Sequence, residues 1–239
     1  MDKNTLNFRR KTIKCRYCNT FLGNSVFDLG HQPLSNDYLK KKELEQNEIY
    51  LPLKLFLCSS CGLLQIPAYK SSLEVFKEDY AYLSSTSKTL CNHAESFVDY
   101  AIRHFNLDSS SFVVEIASND GYLLEHLTKK NIPCLGVEPT KLAGSISKKK
   151  KINTLIKFFS LKISQEIVQN YKKPDLIIAN NVLPHVPNIN DFLKGLSFLI
   201  SPEGVISIEF QHLLSLIKNN LWDTIYHEHY SYLSLDFLK

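Results

Sequence analysis

The sequence has no run of apolar residues long enough to cross a bilayer, which takes about 20 in succession. Residues 1–14 are polar and basic without an apolar core, so no signal peptide is visible. There is also no large excess of one charge. The 28 basic and 24 acidic residues give a net charge of +4, too mild to indicate nucleic-acid binding. Together these absences favour a cytoplasmic protein with neither a membrane nor a nucleic-acid partner.

The 239 residues suffice for one medium domain with a smaller one attached. Four of the six cysteines lie in the first seventy or so residues, whereas from Ser111 onward strand and helix patterns alternate. This alternation predicts a parallel, doubly wound sheet. The predicted strands are 112–117, 132–137, 175–180 and 204–210, with a weaker one at 154–159. The predicted helices are 84–106, 121–130, 141–149, 161–171, 189–200 and 211–219. We therefore expect an α/β protein with domains at 1–75 and 76–239.

The most informative segment is a strand–loop–helix edge at 111–127. An apolar strand containing Glu115 is followed by a polar turn with Gly121 and then by a helical pattern of apolar residues. A second apolar strand ends at Glu138. A carboxylate at that second position can accept hydrogen bonds from ribose hydroxyls. Because the turn is not Gly-x-Gly-x-x-Gly, a pyrophosphate cradle is disfavoured. The pattern favours a ligand with a ribose and no phosphate, of which S-adenosylmethionine is the common one.

Two Cys-x-x-Cys pairs predict a metal site. Cys15 and Cys18 form the first knuckle, and Cys58 and Cys61 form the second. Two such knuckles complete a tetrahedral four-sulfur site for structural zinc. Disulfides are disfavoured in a cytosolic chain, and His31 is a weaker alternative ligand.

The sequence Tyr-His-Glu-His-Tyr at 226–230 concentrates titratable groups after the last strong strand. On an extended segment, His227 and His229 would point one way and Glu228 the other. A histidine oriented or charge-balanced by a carboxylate suits a general base near neutral pH. A structural hydrogen-bond cluster and a metal site are the alternatives. His185 follows the strand at 175–180, at the edge where such sheets bind ligands.

Taken together, these segments resemble the sugar C-methyltransferases, which carry a zinc-binding domain ahead of a class I methyltransferase domain. The matching segments are the two knuckles, 28–36, 79–84, 114–121, 136–139, 180–185 and 226–233. The resemblance implies a small zinc-binding N-terminal domain followed by an incomplete Rossmann-like class I methyltransferase domain. It also implies two cofactors, S-adenosylmethionine and structural Zn2+, and a nucleotide-sugar substrate.

The resemblance further implies a base that removes the acidic proton beside the 4-keto group of the sugar. The enolate then attacks the methyl carbon of S-adenosylmethionine. The implied catalytic residues are His229, Glu228, Tyr226, His185, Tyr80 and Tyr82. Within this set His229 is the base, and Tyr226 and Glu228 hold the sugar or stabilise the enolate. The implied cofactor-binding residues are Glu115, Ala117, Ser118, Asn119, Asp120, Gly121, Glu138, Pro139, Asn180 and Asn181.

Two departures from the family pattern leave alternatives open. Ala117 stands where many class I methyltransferases have glycine, and the family continues well beyond 226–233. We therefore expect the cofactor half of the site to be largely present and the sugar-nucleotide half to be missing. The chain would then be a fragment of a longer enzyme, a frameshifted gene product, or one half of a split enzyme whose other half is a separate partner chain. The alternative functions are methylation of oxygen or nitrogen on another metabolite and a non-catalytic zinc-binding scaffold. A zinc-ribbon nucleic-acid binder is disfavoured by Glu43, Glu45 and Glu48 between the knuckles.

Overall fold

The computed structural model describes residues 13–78 and 80–239. Most of the polar N-terminal stretch and the first residue of the 79–84 motif, Asp79, lie outside the described residues. In chain order the elements are β1 (Phe27–Gln32), β2 (Leu51–Leu57), β3 (Leu64–Gln65), α1 (Ser72–Val75), α2 (Lys88–His104), β4 (Val113–Ile116), α3 (Leu124–Lys129), β5 (Cys134–Val137), α4 (Lys141–Lys149), β6 (Thr154–Leu155), α5 (Leu161–Asn170), β7 (Leu176–Asn180), α6 (Ile189–Leu199), β8 (Val205–Glu209), α7 (Leu213–Lys218), β9 (Ser231–Tyr232) and α8 (Leu235–Leu238). Single 3-10 turns lie at Lys41–Glu43, Ser84–Thr86, Leu183–His185 and Trp222–Thr224.

The elements predicted from 84 onward are present, most of them shortened at their ends. The helix predicted at 84–106 begins only at Lys88, because Ser87 caps it by accepting a hydrogen bond from the Leu90 N–H. The helix predicted from 121 begins at Leu124, since Gly121 has a φ of 76° and cannot belong to a right-handed helix. Across the described ranges, no helix combines the length and apolarity needed to span a membrane.

The larger sheet has five parallel strands in the order β6-β5-β4-β7-β8. This is a doubly wound sheet, and the strand order reverses between β4 and β7, because β5 and β7 flank β4 on opposite sides. In such sheets ligands bind outside the carboxyl ends of the strands at this switch point. The parallel, doubly wound architecture predicted from the sequence is confirmed.

The smaller sheet is antiparallel, with the order β1-β2-β3-β9. Its fourth strand comes from the far end of the described chain: Leu64 lies opposite Tyr232, and Gln65 lies opposite Ser231. Residues around 231 therefore complete the sheet of the cysteine-rich segment.

The cysteine knuckles and the parallel sheet share one hydrophobic core. Cys15, Cys58 and Leu63 belong to the same buried cluster as Val114 and Ile116 of β4. The two parts of the molecule are thus packed directly against each other.

Gly136 in β5 is expected to be intolerant of a side chain. A Cβ atom there would lie 2.4 Å from Ser118 Oγ and 3.2 Å from Leu124 Cδ1. Gly136→Ala should lower the free energy of unfolding by about 1–3 kcal/mol, the cost of overpacking a core. Denaturant titration checks this, with Gly23→Ala as a control, because nothing lies within 4 Å of a Cβ at that position. Adding Ser118→Ala should recover part of the loss, and equal stability of the two glycine variants would contradict the expectation.

Candidate active site

A cavity of about 860 Å³ opens at the carboxyl ends of β4 and β7, large enough for a drug-sized ligand. Its wall combines three regions, namely the sheet edge, the linker before α2 and the turn near 226–230. The predicted residues that line it are Ala117, Asn119, Glu138, Pro139, Asn180, Asn181, Tyr80, Tyr82, His185, Tyr226 and His229. The structure thus brings both predicted sets around one space.

The loop after β4 forms one side of the cavity in an uncommon backbone conformation. Ala117 and Asn119 have φ values of 57° and 48°, in the left-handed region. Asn119 stabilises the turn because its Oδ1 accepts a hydrogen bond from the Ser84 N–H at 2.8 Å. The Asn119 N–H in turn donates to Glu138 Oε2 at 2.9 Å.

The Glu138 carboxylate lies at the end of β5 and is almost fully buried. Its Oε1 accepts hydrogen bonds from the Thr140 N–H at 2.8 Å and from the Thr140 hydroxyl. Burial nevertheless raises the pKa of Glu138, and the nearby Asp120 adds to the rise. Oε2 accepts only the Asn119 N–H and retains a lone pair, so the carboxylate is able to accept a further hydrogen bond from the cavity.

Four predicted cofactor residues lie beneath the loop and not on the cavity wall. Asp120 and Ser118 are fully buried, and Glu115 is 1% exposed. Burial raises the pKa of Glu115 well above its usual range, and Glu138 and Asp120 raise it further. Gly121 faces the opposite way, since a Cβ there would meet Ile152 and Ser147. These residues shape the loop from below.

Two asparagines at the end of β7 form the floor of the cavity. Asn180 Oδ1 is buried and has no hydrogen-bond partner within the described structure. Asn181, with a φ of 53°, is held by Glu209, whose Oε1 accepts a hydrogen bond from its Nδ2 at 2.7 Å. Asn180 therefore carries a buried carbonyl oxygen whose hydrogen-bonding capacity is unused in the described structure.

The segment 226–230 is a turn, so the extended conformation expected from the sequence is wrong. The His229 N–H donates to the Tyr226 carbonyl at 3.0 Å, which closes the turn. His227 and His229 consequently point in different directions. His227 packs beside Tyr69 and contacts the Pro52 carbonyl at 3.2 Å, away from the cavity.

His229 is held as a neutral imidazole with one nitrogen free to act as a base. Its Nδ1 lies 2.7 Å from the Thr224 carbonyl, which can only accept, so Nδ1 carries the proton. Its Nε2 then accepts a hydrogen bond from the Tyr226 hydroxyl at 2.8 Å. Burial lowers the pKa of His229 to about 4, and the neutral form is therefore the one present at neutral pH.

His185 packs against His229 on the cavity wall, with the ring centroids 4.6 Å apart. Burial, with a further contribution from His229, lowers the pKa of His185 to about 3. His185 Nδ1 has no hydrogen-bond partner in the described part of the chain. Two neutral histidines thus stand side by side.

Glu228 lies behind the cavity wall and is 1% exposed. It accepts hydrogen bonds from the Tyr80 hydroxyl at 2.7 Å, from Ser35 Oγ at 3.0 Å and from Asn36 Nδ2 at 3.1 Å. The carboxylate therefore anchors Tyr80, which lines the cavity.

Sequence reasoning missed several residues on the wall. Phe158 and Phe159, after β6, line the cavity beside Asp191 and Gln211. Asn36 also lines the cavity, although the sequence indicated it only as part of the matching segment 28–36. The phenylalanines carry no titratable group, and the only signal for them was their place after a strand of the sheet.

The four knuckle cysteines form a site that fits zinc. Within residues 13–78 and 80–239 they are the one group of three or more candidate ligands whose ligand atoms converge, all within 4.8 Å of one another. Two of the sulfur pairs, Cys15–Cys61 and Cys18–Cys58, are 3.6 Å and 3.5 Å apart. Tetrahedral zinc with bonds of about 2.3 Å places its sulfurs about 3.8 Å apart, so these two pairs already lie within a few tenths of an ångström of that spacing.

The backbone of each knuckle explains this geometry. Asn19 and Gly62, with φ values of 62° and 74°, each donate an N–H to the carbonyl of the first cysteine of their knuckle. Neither His31 nor the His-Glu-His sequence belongs to the converging group, so the metal alternatives weighed for them are not supported.

Two family models match separate parts of the chain. A family model described as "Putative zinc binding domain" matches residues 15–76, and one described as a methyltransferase domain matches residues 92–239. The chain is 28% identical over 226 residues to the C-methyltransferase NovU of Streptomyces niveus. This match covers 95% of the chain and 54% of NovU, so the chain spans about half the length of this curated relative.

Solved structures of similar fold are more distant in sequence. A SAM-dependent methyltransferase from Archaeoglobus fulgidus is 17% identical, with a TM-score of 0.49 over 62% of this chain and 65% of that chain. The plantazolicin methyltransferase BamL is 20% identical, with a TM-score of 0.49 over 64% of this chain and 60% of that one.

Replacing one knuckle cysteine should remove the metal and destabilise the protein. Cys58→Ser is expected to abolish zinc binding and to lower the melting temperature, because a structural zinc site contributes directly to folding. Metal analysis and thermal unfolding of the purified protein check this. Cys91→Ser is the matched control, since Cys91 lies outside the cluster. Unchanged metal content and melting temperature in Cys58→Ser would contradict the assignment.

The lowered pKa values of His185 and His229 predict a loss of stability in acid. Above pH 6.5 both histidines are neutral in the folded and unfolded chain, so they have no effect. Between pH 6.5 and about pH 4, the two histidines bind protons in the unfolded chain but not in the folded chain. Each histidine then lowers the free energy of unfolding by up to about 1.4 kcal/mol per pH unit.

Thermal unfolding near pH 7 and near pH 5 tests this expectation. His229→Asn should lose less stability between the two conditions than the unmodified protein does. The control His104→Asn replaces an exposed histidine and should behave like the unmodified protein. Equal losses in all three proteins would count against a neutral, buried His229.

Proposed function

The chain belongs to the methyltransferase family, and we propose that it moves a methyl group from S-adenosylmethionine to a carbon atom of a keto-sugar nucleotide. The family matches confirm the zinc-binding and methyltransferase domains expected from the sequence, and with them the class of enzyme. The observation that carries the proposal for carbon is the His229–Tyr226 pair, which faces His185 in the cavity that Glu138 also lines.

The cofactor side of the proposed site is the sheet edge. S-adenosylmethionine supplies an electrophilic methyl group when it is bound. Glu138 would accept a hydrogen bond from a ribose hydroxyl through Oε2, and the loop containing Ala117 and Asn119 would hold the methionine portion. Asn180 and Asn181 would form the floor beneath the sulfonium. The acids beneath the loop, Glu115 and Asp120 among them, favour a ligand with positive charge.

The base side would be the turn 226–230. Because His229 Nε2 already accepts the Tyr226 hydroxyl proton, we propose that the pair acts together. A proton leaving the substrate carbon would be taken up by the Tyr226 oxygen while the hydroxyl proton moves to His229 Nε2. The unprotonated state of Nε2 at neutral pH suits this role. Methylation of oxygen or nitrogen, the second candidate, needs a strong base less.

The sugar ring would lie between the two histidines and the linker. Tyr80, Tyr82 and Asn36 supply hydroxyl and amide groups there. Among the described residues of the wall, only Glu138 and Asp191 belong to types that carry charge at neutral pH. The cavity therefore suits a neutral ring, and we place the contacts to the diphosphate outside it.

Several further assignments follow from this proposal. The substrate would be a nucleotide sugar, as the resemblance of the sequence motifs to the sugar C-methyltransferases implies. The description of NovU as a C-methyltransferase supports carbon as the methylated atom. A separate chain supplying the diphosphate contacts is compatible with a wall that lacks them. The four knuckle cysteines form no disulfide, which favours a reducing compartment such as the cytoplasm.

Calorimetric titration with S-adenosylhomocysteine tests the cofactor side first. The chain should bind it, and Glu138→Gln should weaken the binding by roughly 2–3 kcal/mol, the scale of a lost charged hydrogen-bond pair. His229→Asn is the matched variant and should leave the affinity unchanged, because it lies on the other side of the cavity. A well-folded, zinc-loaded chain that fails to bind would instead support the non-catalytic scaffold.

Methyl transfer tests the reaction itself. Incubation with methyl-labelled S-adenosylmethionine and a panel of 4-keto sugar nucleotides should give a product whose label is bonded to carbon, as read by NMR. His229→Asn should abolish this product while retaining cofactor binding. A label on oxygen or nitrogen would replace the proposal with the second candidate.

A further inference from the structure

The first cysteine knuckle contacts the segment that carries His185. Pro187, two residues after this histidine, accepts a hydrogen bond from Arg16 Nη1 through its carbonyl at 3.0 Å. A little further on, Asn190 Nδ2 donates to the Tyr17 carbonyl at 2.8 Å. Both Arg16 and Tyr17 lie between the ligand cysteines Cys15 and Cys18. The knuckle therefore holds the His185 segment at two points.

The same arginine also contacts the segment that carries His229. Arg16 Nη2 donates to the Ile66 carbonyl, and its guanidinium lies over the Tyr230 ring, 5.2 Å from the centroid. Ile66 is joined to Tyr230 as well, because its N–H donates to the Tyr230 carbonyl at 3.0 Å. Tyr230 is the residue next to His229 and is 1% exposed. One guanidinium thus touches both histidine-bearing segments.

The position of Arg16 is fixed by the metal site. The backbone N–H of Arg16 donates to Gln65 Oε1 at 2.9 Å, and Nε2 of the same glutamine lies 3.2 Å from Cys15 Sγ. In the described structure the guanidinium donates hydrogen bonds to two backbone carbonyls and lies over one aromatic ring. A planar fork with two carbonyl partners sets a distance between them, which the flexible, single-headed ammonium of lysine does not do.

We propose that Arg16 is a positioning residue that fixes the spacing of His185 and His229. The metal-bound knuckle holds the guanidinium, and the guanidinium holds Pro187 and Tyr230 at a set separation. The metal site would then act on the geometry of the cavity as well as on the stability of its own domain. Its consequence for turnover rests on the proposed function, whereas the geometric claim does not.

Imidazole nitrogen NMR spectra of the zinc-loaded full chain test this proposal. In Arg16→Lys the His185 and His229 resonances should move from their positions in the unmodified protein. Zinc content should be retained, and the Kd for S-adenosylhomocysteine should stay within about twofold, because Arg16 does not contact the sheet edge. The matched control Arg103→Lys replaces an exposed arginine of α2 and should move neither resonance. With a sugar substrate in hand, kcat of Arg16→Lys should fall by about 100-fold, the effect of misplacing reacting groups.

Unmoved histidine resonances in zinc-loaded Arg16→Lys would overturn the proposal. Should that variant lose zinc, Asn190→Ala breaks the other hydrogen bond to the knuckle without altering the knuckle itself. In Asn190→Ala a shifted His185 resonance supports the proposal, and an unmoved one overturns it. Absence of methyl transfer in the unmodified protein would count against the proposed function alone, since the spectra decide the role of Arg16 independently.

Discussion

The cavity depends on one buried carboxylate, that of Glu228. It gathers donors from Ser35, Asn36 and Tyr80, which belong to two segments far apart in sequence. A buried charge without partners costs several kcal/mol or more, so the three donors and the turn 226–230 are held together. The turn that carries the base is thereby fixed to the linker that closes the cavity. In the sequence Glu228 resembles one member of a catalytic cluster, whereas in the structure it holds the segments of the cavity wall together by hydrogen bonds.

The sequence predicted the features that local patterns encode. Strand–helix alternation predicted the parallel sheet, and with it that the loop after β4 and His185 after β7 lie at the edge where such sheets bind ligands. The conformation of 226–230 could not be predicted in this way, since it depends on hydrogen bonds to Thr224 and on packing against His185. Phe158 and Phe159 were missed because apolar side chains carry no chemical signal until the cavity is seen.

The acids at the sheet edge act as a group. Glu115, Asp120 and Glu138 are all buried there, and proximity to one another adds to the rise that burial gives to the pKa of Glu115 and Glu138. A cationic ligand would relieve this repulsion, whereas a pyrophosphate would increase it. The electrostatics of the edge therefore agree with the sequence evidence from the turn, which lacks the glycines of a phosphate-binding loop.

The pairing of β9 with β3 constrains the order of folding. Most of the chain lies between the two strands, so the edge of β3 stays unpaired during synthesis until the methyltransferase segment has been made. Unpaired strand edges promote association with other chains, and contacts distant in sequence form slowly. The cysteine-rich part is thus synthesised before the methyltransferase segment and is complete only after it. Metal capture by its knuckles, which needs no distant strand, would give it early order while it waits for the fourth strand.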